Sequence, residues 1–269
     1  MRLTILFLFI STILFSQGPV DGYMKNNRDF SVGLSVSRET ATVLYQGTEP
    51  LKSGRNTMAY GVFGIYGISD RINVQANIPY LNVNKGKVTD FQDFSLYFKY
   101  LLLSKDNSKG KLDLMAATGL SQPLGEYVTS GSSAIGQMAI TGDGRLIAQQ
   151  NFNNNFFASL QAGYFLKTDP TPNSVSSSLK IGYAGKFYAD VWYEFLHAFG
   201  GTDYLGTGSL ATTSASGGFR GLGFSYNKIG GTVYYPVSKH FGVFGGASYI
   251  LSGRNAFKNT GFNLGFVFQ

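Results

Sequence analysis

The sequence has no cysteine, only two histidines and 14% charged residues over 269 positions. Without thiols there is no disulfide framework, no thiol chemistry and no cysteine-based metal site. The fold must be held by backbone ladders and packing. Lys and Arg outnumber Asp and Glu by 22 to 15, but the excess is scattered and only "SKDNSKGK" (104–111) is dense, as solvated turns are. That is no nucleic-acid footprint. Asp143 in "GDGR" and Asp203 in "GTDY" stand without a third acidic ligand nearby, so neither makes a calcium loop. No metal or cofactor is expected. A helical stripe at 3.6 spacing is missing too.

Glycine (35), phenylalanine (23) and tyrosine (17) are abundant, a composition suited to strands and tight turns. The chain opens with Met1, Arg2, the apolar run "LTILFLFISTILF" and then "SQG". A basic start, a short apolar stretch and a small residue make a secretory signal peptide over 1–16, leaving 17–269 as one domain. The run is shorter than the about 20 residues a spanning helix needs.

In "YGISDRINVQANIPYLNV" (66–83), Ile72, Val74, Ala76, Ile78 and Tyr80 share one parity, and Asn73, Gln75 and Asn77 the other. A period of two is a strand with two unlike faces. The pattern recurs through Phe30, Val32 and Leu34, then Phe98, Tyr100 and Leu102, then Leu179, Ile181 and Tyr183, and finally Phe262, Leu264, Phe266 and Phe268. The chain is all-β.

A soluble sandwich or lipocalin-like barrel also alternates, with its apolar face inward. Three features point the other way. Strand segments run about 9 to 12 residues, enough to cross a bilayer when tilted. The polar parity carries amides, serines, glycines and opposite charges, as a wet interior does. Tyrosine and phenylalanine crowd the strand ends, as interfacial girdles do. Short turns near 69–71, 104–110, 153–155, 184–186 and 238–240 alternate with long loops near 38–56, 83–91, 121–144, 167–174, 199–218 and 252–260. With 219–237 read as one long strand, bulged at Gly230 and Gly231, this gives a transmembrane antiparallel up-and-down β-barrel of twelve strands, with ten or fourteen as alternatives.

Residues 60–83 and 115–127 carry Gly67, then Ser69, Asp70 and Arg71, then Pro79 and Tyr80, and later Gly119, Ser121, Pro123 and Gly125. In this the chain resembles the phenol-degradation-pathway (MetA-type) outer-membrane transporter family, most clearly over 60–165. The resemblance implies a bacterial outer-membrane channel for small, hydrophobic or aromatic molecules. Such barrels end on an aromatic residue read by the insertion machinery; here Gln269 follows Phe268.

The expected lumen-lining and selectivity residues are Lys99, Asp113, Lys180, Asp190 and Glu194, with the amides Asn73, Gln75 and Asn77. Inward charges either set selectivity or pair across the lumen and close it. Arg55 and Arg254, both in "SGRN", are expected in outer loops facing lipid-A phosphates, or are turn composition. His197 precedes Ala198 and Phe199, and His240 precedes Phe241 and Gly242. Neither has the His-x-Ser spacing of an outer-wall phospholipase, so no enzymatic activity is expected. The expected partners are membrane lipid and lipopolysaccharide, the insertion machinery through the last strand, and a small solute. Residues 17–28 are too few for a plug domain, which leaves passive passage, or a closed structural or adhesive barrel acting through its loops at 121–144 and 199–218.

Overall fold

The computed structural model describes residues 20–204 and 218–269. The expected signal peptide and most of the 199–218 loop lie outside them. The chain forms one antiparallel sheet of β1 (Phe30–Gln46), β2 (Glu49–Ser69), β3 (Ile72–Val83), β4 (Val88–Phe91), β5 (Asp93–Asn107), β6 (Gly110–Pro123) and β7 (Thr141–Phe152). It continues through β8 (Phe156–Lys167), β9 (Ser174–Ala184), β10 (Tyr188–Ala198), β11 (Ser225–Pro236), β12 (Phe241–Arg254) and β13 (Phe257–Phe268). Strands adjacent in sequence pair in space, and β1 pairs with β13 from Val32 opposite Phe268 to Leu44 opposite Phe257, which closes the sheet. β4 is a short return against the outer end of β3, so the wall itself is a twelve-stranded up-and-down barrel.

Closure gives each of the twelve wall strands a partner on both sides, the condition for a sheet in hydrocarbon. The parity read from the sequence then sets the two faces. Leu34, Leu160, Leu179, Ile181, Val191 and Leu264 point outward, between 43% and 63% exposed. Asn73, Gln75, Lys99, Gln149 and Gln161 point inward and are buried. A soluble barrel would show the reverse. Aromatic residues edge the apolar belt at both rims: Tyr60, Tyr80 and Phe91 pack at one, and Phe241, Phe266 and Phe268 at the other. The rim with the short turns 70–71, 108–109, 153–155, 185–187 and 237–240 is the periplasmic one by the usual loop asymmetry.

Pro79 shows how the wall tolerates a missing N–H. β3 pairs with β5 only from Ile72 to Asn77, and its pairing with β4 starts at Tyr80 opposite Phe91. Pro79 sits in the gap between the two ladders, and its carbonyl still accepts from the Gln92 N–H at 2.9 Å.

Three connections differ from the sequence reading. The loops expected at 38–56 and 252–260 are strand hairpins, turning at 47–48 and 255–256. Their ladders rise past the apolar belt, where polar residues enter both parities and the period-two hydrophobic signal fades, although Ala41, Leu44, Leu51 and Phe257 still pack inward. β11 begins at Ser225, after one turn of 3-10 helix at Gly218–Gly221. Its irregularity lies between Asn227 and Lys228, while Gly230 and Gly231 keep regular pairing. Gly230 has another role: a Cβ there would lie 2.1 Å from the Trp192 ring, which lies flat over it inside the barrel.

Leu160→Arg places a charge on the lipid face and is expected to cost about 2–4 kcal/mol in a bilayer if it lies near the midplane. Denaturant titration of the lipid-embedded protein, scored by the shifted migration of unheated barrel on gels, measures this; an unchanged midpoint would contradict the outward face.

Candidate functional site in the lumen

Twelve strands enclose more width than wall side chains fill by themselves. Here the periplasmic half is filled by two devices. One is an aromatic floor, in which Phe63, Phe157, Tyr188, Tyr234 and Phe244 from five strands meet around Tyr23, all buried. Phe157 stacks on Tyr188 at 5.4 Å, and Tyr23 meets both rings edge-on at 5.5 and 6.3 Å.

The other device is the chain segment before β1. Residues 20–25 run inside the barrel, where Val20, Asp21, Tyr23 and Lys25 are buried. The segment turns at the periplasmic rim, where the Arg28 N–H donates to the Gly67 carbonyl and the Asn27 N–H to Asp70. Lys99 on β5 holds it: its Nζ lies 2.8 Å from Asp21 Oδ1 and also donates to the Asp21 and Tyr23 carbonyls. Gln161 Nε2 donates to the Val20 carbonyl at 2.8 Å. With its amide oriented to satisfy both ends, Asn73 accepts from the Lys25 N–H at 2.7 Å and donates to the Lys25 carbonyl at 3.2 Å. Gly22 lies so close to Gln149 that a Cβ would sit 1.8 Å from its Oε1. Asn73 of β3, Lys99 of β5, Gln149 of β7 and Gln161 of β8 thus form a binding strip for this strap.

The other expected residues fall around it. Lys180 Nζ lies 3.4 Å from Asp190 Oδ2, and Tyr188 also donates to that carboxylate at 2.5 Å. Glu194 accepts from Tyr226 at 2.7 Å. Asp113 sits lower, near the periplasmic turn, taking a hydrogen bond from Ser104 at 2.6 Å. Gln75 is buried beside the strap, and Asn77 is half-buried above it. These side chains all point inward, and the strongest charges are paired there, as low-dielectric burial requires.

Two features escaped the sequence reading. Asp143 and Arg145 form a buried two-pronged pair, at 2.9 and 2.7 Å, within β7. Their shared parity was legible, but Asp143 had been placed in the 121–144 loop. Residues 17–28 are too few for a plug domain, but a single extended segment suffices once the floor fills the rest.

Above the strap lies a chamber of about 460 Å³, lined by Arg55, Asp93, Lys167, Phe219, Phe257 and neighbours. The segment 124–140 folds inward over it rather than standing away. Tyr127 donates to Asp93 at 2.6 Å, Gln137 Nε2 to the Leu222 carbonyl at 3.0 Å, and Arg220 to the Gln137 carbonyl at 3.1 Å. Burial first, and then the Asp93 carboxylate, push the Tyr127 hydroxyl well above the usual phenol value, so it stays a donor. Arg55 belongs to this chamber and does not face lipid. Its guanidinium stacks 5.2 Å over Phe257 and donates to the Ser132 carbonyl, because odd-numbered positions of β2 point inward. Arg254 spends its donors on Asp203 and the Gly200 and Gly201 carbonyls, within an outer-loop network. His197 lies outside the wall between Phe195 and Phe199, and His240 in a periplasmic turn beside the Gln269 carbonyl.

Solved structures share this architecture. An outer-membrane channel from Pseudomonas putida F1 superposes with a TM-score of 0.68 over 93% of this chain and 99% of that one, at 14% identity. The KdgM porin gives 0.52 over 88% and 98% at 9% identity, and the NanC porin 0.52 over 87% and 99% at 7%. No family model and no curated protein matches the sequence. The likeness is one of fold. A closed barrel of this fold, with an apolar belt facing out and charge facing in, is an outer-membrane barrel.

Asp21→Ala leaves Lys99 buried without its carboxylate, a change that typically costs about 3–5 kcal/mol. The strap is then expected to leave its strip, and trypsin to cut at Lys25 in the variant but not in the parent. Adding Lys99→Met removes the stranded charge and is expected to restore part of the protection.

Proposed function

We propose that this barrel is a bacterial outer-membrane channel through which small molecules, hydrophobic or aromatic in part, pass down their gradient. The observation that carries this reading is the chamber enclosed between an inward-folded outer segment and a strap held only by noncovalent contacts. A structural barrel needs no chamber, and none of the described elements provides an energy-coupling device. Aromatic lining at Phe219, Phe224 and Phe257 suits an apolar solute. The resemblance of 60–83 and 115–127 to the MetA-type transporters, and the likeness in fold to the Pseudomonas putida outer-membrane channel, support the same role. Lys99, Lys180, Asp190 and Glu194, with Asn73 and Gln75, act mainly by seating the strap and closing the lower lumen, and influence permeation when the strap is displaced. Asn77 and Asp113 border that path.

In this reading residues 1–16 are a signal peptide that directs export. Lipid and lipopolysaccharide surround the wall, and the aromatic C-terminal strand is what the insertion machinery engages despite Gln269. No catalytic role is assigned.

One observation favours the closed-barrel alternative: Lys180 paired with Asp190 beside the aromatic floor leaves the lower lumen filled. Planar-bilayer recording separates the two. The channel reading expects brief or small steps from the parent and larger, sustained steps from a variant lacking residues 20–28. If neither protein gives steps, the barrel is closed and the channel reading fails.

A further inference from the structure

The charges lining the chamber are unevenly satisfied. Its two acids have donors: Asp93 takes the Tyr127 hydroxyl at 2.6 Å, and Glu39 takes Asn259 at 2.9 Å with Lys228 at 3.9 Å. Its two cations, Arg55 and Lys167, have no carboxylate within ion-pair distance. Every Asp and Glu of the chain lies among the described residues, so no acid is missing from that comparison. Arg55 is partly met by Thr57, by the Ser132 carbonyl and by the Phe257 face. Lys167, at the outer end of β8, is the cation with the least provision.

The same chamber holds a second unmet group. Thr171, in the turn that follows β8, is 3% exposed and lines the same chamber, and its Oγ1 is buried without a hydrogen-bond partner. Thr141, paired with Lys167 across β7 and β8, lines the chamber too. A buried hydroxyl and an ammonium that both lack acceptors cost free energy unless an acceptor arrives. The facing wall towards β11–β13 carries Phe224, Ile250 and Phe257 beside the amides Asn255 and Asn259. At about 460 Å³ the volume suits a small molecule.

We infer that the chamber binds small organic anions, with a carboxylate at Lys167 and Thr171 and an apolar body against the facing aromatic residues. This deepens the channel reading by naming the class of solute, and it rests on that reading only for transport. A neutral aromatic would leave the polar corner unmet, so charge and not ring size sets the preference.

The test is equilibrium dialysis of benzoate and its neutral counterpart benzamide against the full barrel in lipid nanodiscs, with empty discs as background. Saturable benzoate binding is expected, at least tenfold tighter than benzamide. Lys167→Gln is expected to weaken benzoate at least tenfold, and Thr171→Val several-fold, with benzamide unchanged and barrel migration on unheated gels intact. Equal binding of the two probes, no saturable benzoate binding, or benzoate affinity unaffected by Lys167→Gln would each overturn the inference. Bilayer conductance judges the channel separately: a barrel that binds benzoate without conducting keeps this site and loses the channel, and the converse result loses only the site.

Discussion

Backbone N–H and C=O groups in hydrocarbon have no water to bond, so each membrane-crossing strand must find a partner on both sides. That demand closes the sheet through β1 and β13, and closure dictates almost everything else. Once the wall is a ring, side chains alternate strictly between lipid and lumen. The outward set must be apolar. The inward set faces a space too wide for wall residues alone to fill, yet too narrow to leave their charges freely hydrated.

The lumen resolves this by importing backbone. The strap brings Asp21 to Lys99, gives carbonyls to Lys99 and Gln161, and lays its own peptide groups against Asn73. The wall is carved to receive it and the floor. Gly22 lies flat on Gln149, Gly230 under Trp192, and Gly33 under Phe63, each at distances where a Cβ would clash. Small residues on one strand thus pay for large rings on the next. Above the strap the lumen stays roomy and carries cations that the fold does not neutralise.

The barrel was legible because period-two alternation is a one-dimensional signal, and a belt of leucines opposite amides and serines has a single physical reading at these strand lengths. Strand count followed from turn alternation. What the sequence hid were contacts between distant segments and strand ends where polar residues enter both parities. The outer hairpin of β1 and β2 looked like a loop because polar residues occupy both parities there. Arg55, expected in an outer loop either facing lipid A or as turn composition, lies for the same reason on a strand and points inward. Parity alone puts Lys99 on the inner face, but it could not be matched to Asp21, 78 residues away, since nothing local links them. Lys167 and Thr171 went unremarked because a single lysine at a strand end is ordinary until its lack of partners is seen.

The central claim is that the strap closes a barrel that would otherwise conduct. The native chain has no cysteine, and a Cβ at Gly22 would lie 3.1 Å from Ser159 Oγ, so a Gly22→Cys, Ser159→Cys pair, with Gln149→Ala to make room, places two thiols where a disulfide can lock strap to wall. Single-channel recording before and after reduction reads the outcome directly. The account predicts few or no steps when the pair is oxidised and sustained steps once it is reduced. Equal conductance in both states would contradict it.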